Sequence, residues 1–374
     1  MSITPLLYIA SVILSILYLL NIRCNFSKYF LFFIILILLL ISSDEVGSLF
    51  FSPEQKGHHN EVIMHISNNC ASINILGFES FKKITMFISC KLKNPDLFDF
   101  IYKFAFILVS IFSYFQLKSS NNSTKPLVLV ILLLIPSLLY GNIRTPLAQL
   151  ILVLAVMYVN IPVKSYILAI VSSFPHSIGI TSIFYVYALR YKINKSKSRN
   201  LSLNIILGTA VAGLIVLVYF QYVGAISGDS VYILGKNSEV YIRMGDGATK
   251  GFFGLPRSML VIPTLVLMLS FFFKNQILNK KQIILLYVAT LVLAYIGAII
   301  SLQVSGRIVG FVIPVYFALL ISFYSNDKGV NTFVSIFKML IYILFLTRIY
   351  YEDFRISYAV KLDFLNLPYV DVLF

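Results

Sequence analysis

Charge is what this chain has least of. Lys, Arg, Asp and Glu together make up 12% of its 374 residues, while 59% are hydrophobic. An average soluble domain spends about 25% of its residues on charge, and a water-facing surface cannot be built from half that supply. The shortage excludes a soluble enzyme and a disordered chain. It also excludes a nucleic-acid-binding domain, despite a formal net charge of +15. With a mean hydropathy of +0.89, the composition is that of a polytopic membrane protein.

Cysteine is also scarce. Cys24, Cys70 and Cys90 form no CxxC pair, which excludes zinc-ribbon and thioredoxin-like motifs. Cys70 and Cys90 fall in one loop and would pair if that loop were extracytoplasmic, but two unpaired thiols are the commoner outcome and the expectation. Of the four histidines, His58, His59 and His65 lie near Glu61 at a spacing that fits no familiar zinc pattern. No metal and no cofactor are expected. The N-terminal apolar stretch has neither a basic n-region nor a small-residue cleavage site, so it reads as a retained first span. No internal repeat or low-complexity segment stands out.

What the chain does have is long apolar runs. A helix needs about 20 apolar residues to cross the hydrocarbon layer, or about 17 with snorkelling flanks. Candidate spans lie near 4–22, 29–43, 98–117, 126–140, 145–160, 163–175, 178–190, 203–223, 257–273, 282–300, 308–324 and 333–349, with boundaries blurred at Pro136, Pro146, Pro162 and Pro175. The fold class predicted is all-α: a single polytopic transmembrane helix bundle over 1–374, with about twelve spans. Short loops rich in Lys and Arg stay in the cytoplasm. Arg23 and Lys28, Lys118 and Lys125, Lys164, the run Arg190, Lys192, Lys195, Lys197 and Arg199, then Lys274, Lys280 and Lys281, and Lys328 all fall on one side of that layout. Every acidic residue except Asp327 falls on the other side or in its flanks, which puts both termini outside.

Two longer segments then face outward, about 44–97 and about 224–256. In the first, Phe78, Phe81, Ile84, Phe87 and Ile88 recur at helical spacing against Lys82, Lys83 and Lys91. That pattern suits either a helix lying in the membrane interface or one packed on the bundle. The tail from Tyr350 to Phe374 is expected to fold back over the outer face.

Charge against the membrane locates the candidate site. An arginine at a helix centre costs about 2.5–3.5 kcal/mol on insertion scales. Arg144, after Gly141-Asn142-Ile143, His176, in Phe174-Pro175-His176-Ser177, and Arg307, after Ser305-Gly306, all converge on the outer boundary from distant parts of the chain. Singly, each has an ordinary explanation as a snorkelling anchor or a turn cap. Together they make a kit for a phosphate-linked substrate, because arginine forks match phosphate oxygens and neutral imidazole accepts a proton near pH 7. The second outer segment adds Arg243 and Arg257, with Lys236 and Lys250 around Gly245-Asp246-Gly247. It could hold an anionic lipid pyrophosphate or an acidic glycan, or its charges could simply solvate a loop.

These residues carry a family resemblance. Asn142-Ile143-Arg144-Thr145-Pro146-Leu147-Ala148, then a short span and Lys164, then Phe174-Pro175-His176-Ser177 resembles the EpsG-like polysaccharide polymerases, which include O-antigen and capsule polymerases of the Wzy type. Gly77-Phe78-Glu79-Ser80-Phe81, Gly306-Arg307 opening a late span and Leu367-Pro368-Tyr369 in the tail are similar to features of the same family. Many relatives carry a Gly-x-Asp-x-x-x-Tyr-like segment after the second span. Here only Ser43-Asp44-Glu45 stands there, and Asp44 is given no role.

The resemblance implies a bacterial inner-membrane enzyme with its site facing the periplasm. Its donor and acceptor partners would be undecaprenyl-pyrophosphate-linked glycans, within membrane lipid and without nucleic acid, and a chain-length regulator is an open further partner. Arg144 and Arg307 would neutralise the departing pyrophosphate, and His176 would accept the hydroxyl proton or orient the acceptor. Glu79, Asn142, Ser177, Arg243, Arg257 and Tyr369 would bind substrate. A lipid-linked oligosaccharide flippase is the main rival and would need polar groups at mid-membrane depth and internal repeats. An O-antigen ligase is the rival enzyme, but its outer loop usually carries a histidine-containing motif, and segment 224–256 has no histidine.

Overall fold

The computed structural model describes residues 3–20, 28–41, 53–70, 73, 79–119, 124–140, 143–190, 232–233, 236–237, 257–300, 302–324, 329–330 and 332–341. Within them the protein is all-α and of membrane character. Three helices, Asp96–Ser119, Lys280–Gly297 and Val304–Ile321, are long and apolar enough to cross a membrane by length and composition, and the other apolar helices are shorter. Asn142, Arg243, Tyr369, the span at 203–223, the C-terminal tail and nearly all of segment 224–256 lie outside the described residues.

In chain order the helices are α1 (Ile3–Leu19), α2 (Lys28–Ile41), α3 (Pro53–Ser67), α4 (Ser80–Lys91), α5 (Asp96–Ser119), α6 (Lys125–Tyr140), α7 (Arg144–Met157), α8 (Pro162–Val171), a 3-10 turn (Ser177–Ile180) and α9 (Thr181–Arg190). After the two-residue strands β1 (Tyr232–Ile233) and β2 (Lys236–Asn237) come α10 (Arg257–Phe272), β3 (Lys274–Asn275), α11 (Lys280–Ile300), α12 (Leu302–Ile321), β4 (Phe323–Tyr324) and α13 (Thr332–Ile341). Proline sets some of these limits and not others. Pro162 opens α8, where its missing N–H costs nothing, and Pro175 separates α8 from the 3-10 turn. Pro146 sits in the first turn of α7, while α6 runs on through Pro136.

The core is built on α6, α7 and α12. Residues Leu127 to Ile135 of α6 are buried all round, as are most of α7 and α12, which is the signature of a central helix rather than an amphipathic one. The surrounding helices expose apolar stripes instead, such as Phe104, Leu108, Phe112 and Phe115 on α5.

Cross-helix contacts sort the ends of the bundle. At one end, the Tyr102 hydroxyl, in the second turn of α5, donates to the carbonyl of Pro175 at 3.2 Å, and Arg144, the first residue of α7, meets Glu79 at the start of α4. Gln149 of α7 donates to the Gly310 carbonyl at 3.0 Å, which sets the early part of α12 beside the early part of α7. At the other end, Arg190 closing α9 donates to the Val159 carbonyl just past α7. Gln282 at the start of α11 donates to Leu189 of α9. Phe33 near the start of α2 packs on Tyr114 and Phe115 near the end of α5. There β3 pairs with β4, and Lys338 donates to the carbonyls of Ile321 and Phe323.

Candidate functional site

The site is assembled around Glu79. This residue precedes α4 and adopts a left-handed backbone conformation, φ 57°. That conformation is uncommon for a residue with a side chain and persists only where the surroundings over-determine it. Three contacts do so here. Arg144 Nη1 donates to Glu79 Oε2 at 3.1 Å, the backbone N–H of Ser177 donates to Oε1 at 3.1 Å, and His176 Nδ1 stands 3.8 Å from Oε1. The three ionisable groups are nearly sealed from solvent, with relative exposures of 8% for Glu79, 5% for Arg144 and 3% for His176.

The turn that carries His176 is held from several directions. Its Phe174 carbonyl accepts the N–H of Phe81 in the first turn of α4, and its Pro175 carbonyl accepts the Tyr102 hydroxyl. Tyr102 is itself fixed by the rings of Phe81, edge-on at 4.9 Å, and Phe98 at 5.1 Å. Behind the turn, the Ser172 hydroxyl lies 2.7–2.9 Å from the Ala169 and Gly179 carbonyls and the Ser182 hydroxyl. The 3-10 turn packs so closely on α8 that a Cβ on Gly179 would collide with the Ser172 carbonyl. These contacts align Ser177 without using its side chain, while the His176 ring caps the turn itself, its Nδ1 accepting the Ile178 N–H at 3.2 Å. The hydroxyl Oγ of Ser177 is buried with no hydrogen-bond partner among the described residues, a group that a polar ligand would satisfy.

Burial opposes charge on Glu79, but Arg144 foremost, then His176, the Ser177 N–H and Lys82 outweigh it and hold its carboxyl below the usual carboxylate range. The pair is therefore ionised at neutral pH. Lys82 also bridges to Glu61 on α3 at 3.1 Å.

The Cys70 and Cys90 thiols, expected to stay free, form a disulfide that joins the end of α3 to the end of α4 across 20 residues. Spacing alone could not reveal this, because it depends on α4 packing on α3 so that the ends of the two helices meet and their Cα atoms stand 6.0 Å apart. Glu79 sits inside the loop so closed. The helix expected from Gly77 to about Lys93 forms over Ser80–Lys91 as α4 and packs on the bundle. Thr85, Met86, Ser89 and Cys90 are buried, with α3 and α5 as its packing neighbours, while Ile84 and Ile88 remain exposed.

Of the residues singled out from sequence, the structure brings Glu79, Arg144, His176 and Ser177 into contact. Arg307 is half-buried on the second turn of α12, the helix that packs against the Ser177–Ile180 turn at this end. Arg257 begins α10. Sequence reasoning missed Tyr102, Ser172 and Gly179, and it missed the pairing of Glu79 with Arg144. Tyr102 carried a signal, a phenol amid the apolar run of α5, but nothing local points it toward Pro175. Neither family models, nor curated proteins, nor solved structures give a match to this chain.

Proposed function

We propose that the protein is a polysaccharide polymerase of the bacterial inner membrane, with about twelve spans, working at the outer leaflet on lipid-linked repeat units. It would join the growing glycan, released from undecaprenyl pyrophosphate, to a hydroxyl on the incoming unit. The observation that carries the reading is the cluster itself. Glu79 lies 65 residues from Arg144 and 98 from Ser177 in the chain, yet all three meet at one end of an apolar bundle together with His176. These are the residues on which the resemblance to the EpsG-like polymerases rests.

Charge polarity supports the orientation. The acids Glu61, Glu79, Asp96 and Asp99 belong to the segments at the cluster's end, whereas Lys118, Arg190, Lys274, Lys280 and Lys281 lie at the far end. Cytoplasmic loops carry the Lys and Arg excess, so the far end is cytoplasmic and the cluster faces the periplasm. A disulfide between the ends of α3 and α4 agrees with an oxidising compartment there.

In the transfer, the bond between the glycan's anomeric carbon and the pyrophosphate oxygen breaks and the bond to the acceptor oxygen forms. Negative charge accumulates on the departing pyrophosphate. Arg144, held against Glu79, and Arg307 supply fixed positive charge to it in a site with little water, where such charge counts most. The Ser177 hydroxyl gives a hydrogen-bonding group to a sugar or phosphate oxygen.

Deletion of the gene followed by gel analysis of the surface glycan tests the reading. Loss of the chain-length ladder, with single repeats left on the outer glycolipid, is the expected result, and Arg144→Ala and His176→Ala should reproduce it at normal expression. Long chains persisting in the deletion strain would overturn the assignment. Repeat units trapped on the inward face would identify a flippase instead.

A further inference from the structure

Pro314 lies inside α12. A proline within a helix offers no N–H to the carbonyl four residues back, and its ring pushes that carbonyl aside, which bends the helix and strands an acceptor. Here the stranded acceptor is the carbonyl of Gly310. It takes its hydrogen bond from another helix instead: Nε2 of Gln149 on α7 donates to it at 3.0 Å. Gln149 is nearly sealed from solvent among apolar residues of α7, and a buried amide is tolerated where it satisfies a buried partner. The proline also divides α12 into unlike halves. Residues 311–321 are all buried, between α6, α7, α10 and α11. Nearer the outer end, Gly306, Arg307 and Gly310 are only partly buried. A Cβ on either glycine would meet nothing within 4 Å among the described residues. On another face this outer half is tight against α11, where a Cβ on Gly297 would come within 2.9 Å of Ile308 Cδ1 and 3.0 Å of the Ser305 backbone. It therefore has room on one side only, and Gln149 ties it to α7.

We infer that Gln149 is a positioning residue that sets the spacing of Arg144 and Arg307, by holding the Pro314 bend of α12 against the helix that carries Arg144. Both arginines lie on the outer side of this tether. At 1.5 Å of rise per residue, Arg144 is about 7.5 Å outward of Gln149 along α7, and Arg307 about 4.5 Å outward of Gly310 along α12. Two guanidinium groups that share one pyrophosphate must be kept at a fixed separation, because charge aimed at a developing anion counts only where it is already in place. Gln149 touches no substrate in this scheme and acts through the α12 backbone. Its part in the transfer rests on the polymerase reading above, whereas the tether rests on geometry alone.

Gln149→Met removes the donor at similar volume, and adding Pro314→Ala returns a helical N–H to the Gly310 carbonyl. The single variant should lose both thermal stability in lipid nanodiscs and polymerisation. The double variant separates a structural role from a positioning one. Its melting temperature should return close to that of wild type, because no carbonyl is stranded, while the bend and the tether are both gone. Polymer formation is read in vesicles of a deletion strain, which hold accumulated lipid-linked repeats, with each variant expressed there. The double variant should stay roughly 100-fold below wild type, the cost of a misplacement of about 1 Å. The geometry is read separately, from the distance between spin labels at Ile84→Cys, exposed on α4, and Gly306→Cys. Both are placed in a Cys24→Ser background under non-reducing conditions. That distance should be single and narrow with Gln149 and Pro314 present, and displaced or broadened in the double variant. A double variant that keeps the narrow distance, or that polymerises like wild type, would show that Gln149 only repairs the helix and would overturn the inference. If wild type makes no polymer from these repeats, the polymerase reading fails, and the label distances alone then decide whether Gln149 sets the position of α12.

Discussion

A carboxylate and a guanidinium buried against each other are held less by their mutual attraction than by the penalty for separating them. Two charges lose much of their hydration on burial, so a pair adds little net stability, but removing one partner strands the other and costs about 3–5 kcal/mol. Glu79 and Arg144 meet these terms, joined at 3.1 Å. Glu79→Gln and Arg144→Met are each expected to lower the unfolding temperature in lipid nanodiscs strongly. The double variant should lose much less than the sum, and strict additivity would mean the two charges do not depend on each other. The pH dependence has a definite sign. Because the Glu79 carboxyl is held below its ordinary value, foremost by Arg144 acting against burial, its stabilisation is present above the normal carboxylate range. It is lost as pH falls through the lowered value. Acidification should therefore destabilise wild type more than Glu79→Gln, and parallel curves would contradict the assignment.

At the level of elements, the site depends on two closures. The Cys70–Cys90 bond closes a 20-residue loop that contains Glu79, and a loop of that size carries about 3 kcal/mol of chain entropy in its unfolded state. Cys70→Ser and Cys90→Ser should each loosen the packing of α4 on α3. Reduction of the wild type should lower polymerisation as much as either variant, and full activity under reducing conditions would show that the packed helices hold Glu79 unaided. The second closure is the contact of Gly179 with Ser172. Gly179→Ala is expected to shift the His176 turn off α4 and abolish the ladder at normal expression. An active Gly179→Ala protein would mean the turn has more room than this packing allows. These closures also mark what could be read from the chain alone. Apolar runs and basic loops predict helices and their two ends, because both follow from composition within one segment. Arg144 and His176 stand out because charge at a membrane boundary is costly wherever it occurs, whereas Glu79 stands out only through the family resemblance. The disulfide and the Glu79–Arg144 pair were not legible, since each depends on how one segment returns along another. The Tyr102 bond to Pro175 spans 73 residues and leaves no local pattern either.

For the whole molecule the decisive property is which end faces the cytoplasm. The functional reading needs the cluster on the outside, because the lipid-linked repeats it would join are presented there. The two ends can be labelled separately. Cys24→Ser leaves the Cys70–Cys90 bond intact, and single cysteines can then be added at two exposed positions, Asn60→Cys on α3 and Lys281→Cys on α11. In intact spheroplasts under non-reducing conditions, a membrane-impermeant maleimide should modify Asn60→Cys at once. Lys281→Cys should react only after permeabilisation. Moving several charged groups through the hydrocarbon layer costs several kcal/mol each, so neither position should exchange sides during labelling. The reverse pattern would put Glu79, Arg144 and His176 in the cytoplasm, away from the outer leaflet, and no polymerisation of outward-facing repeats could then occur at this site.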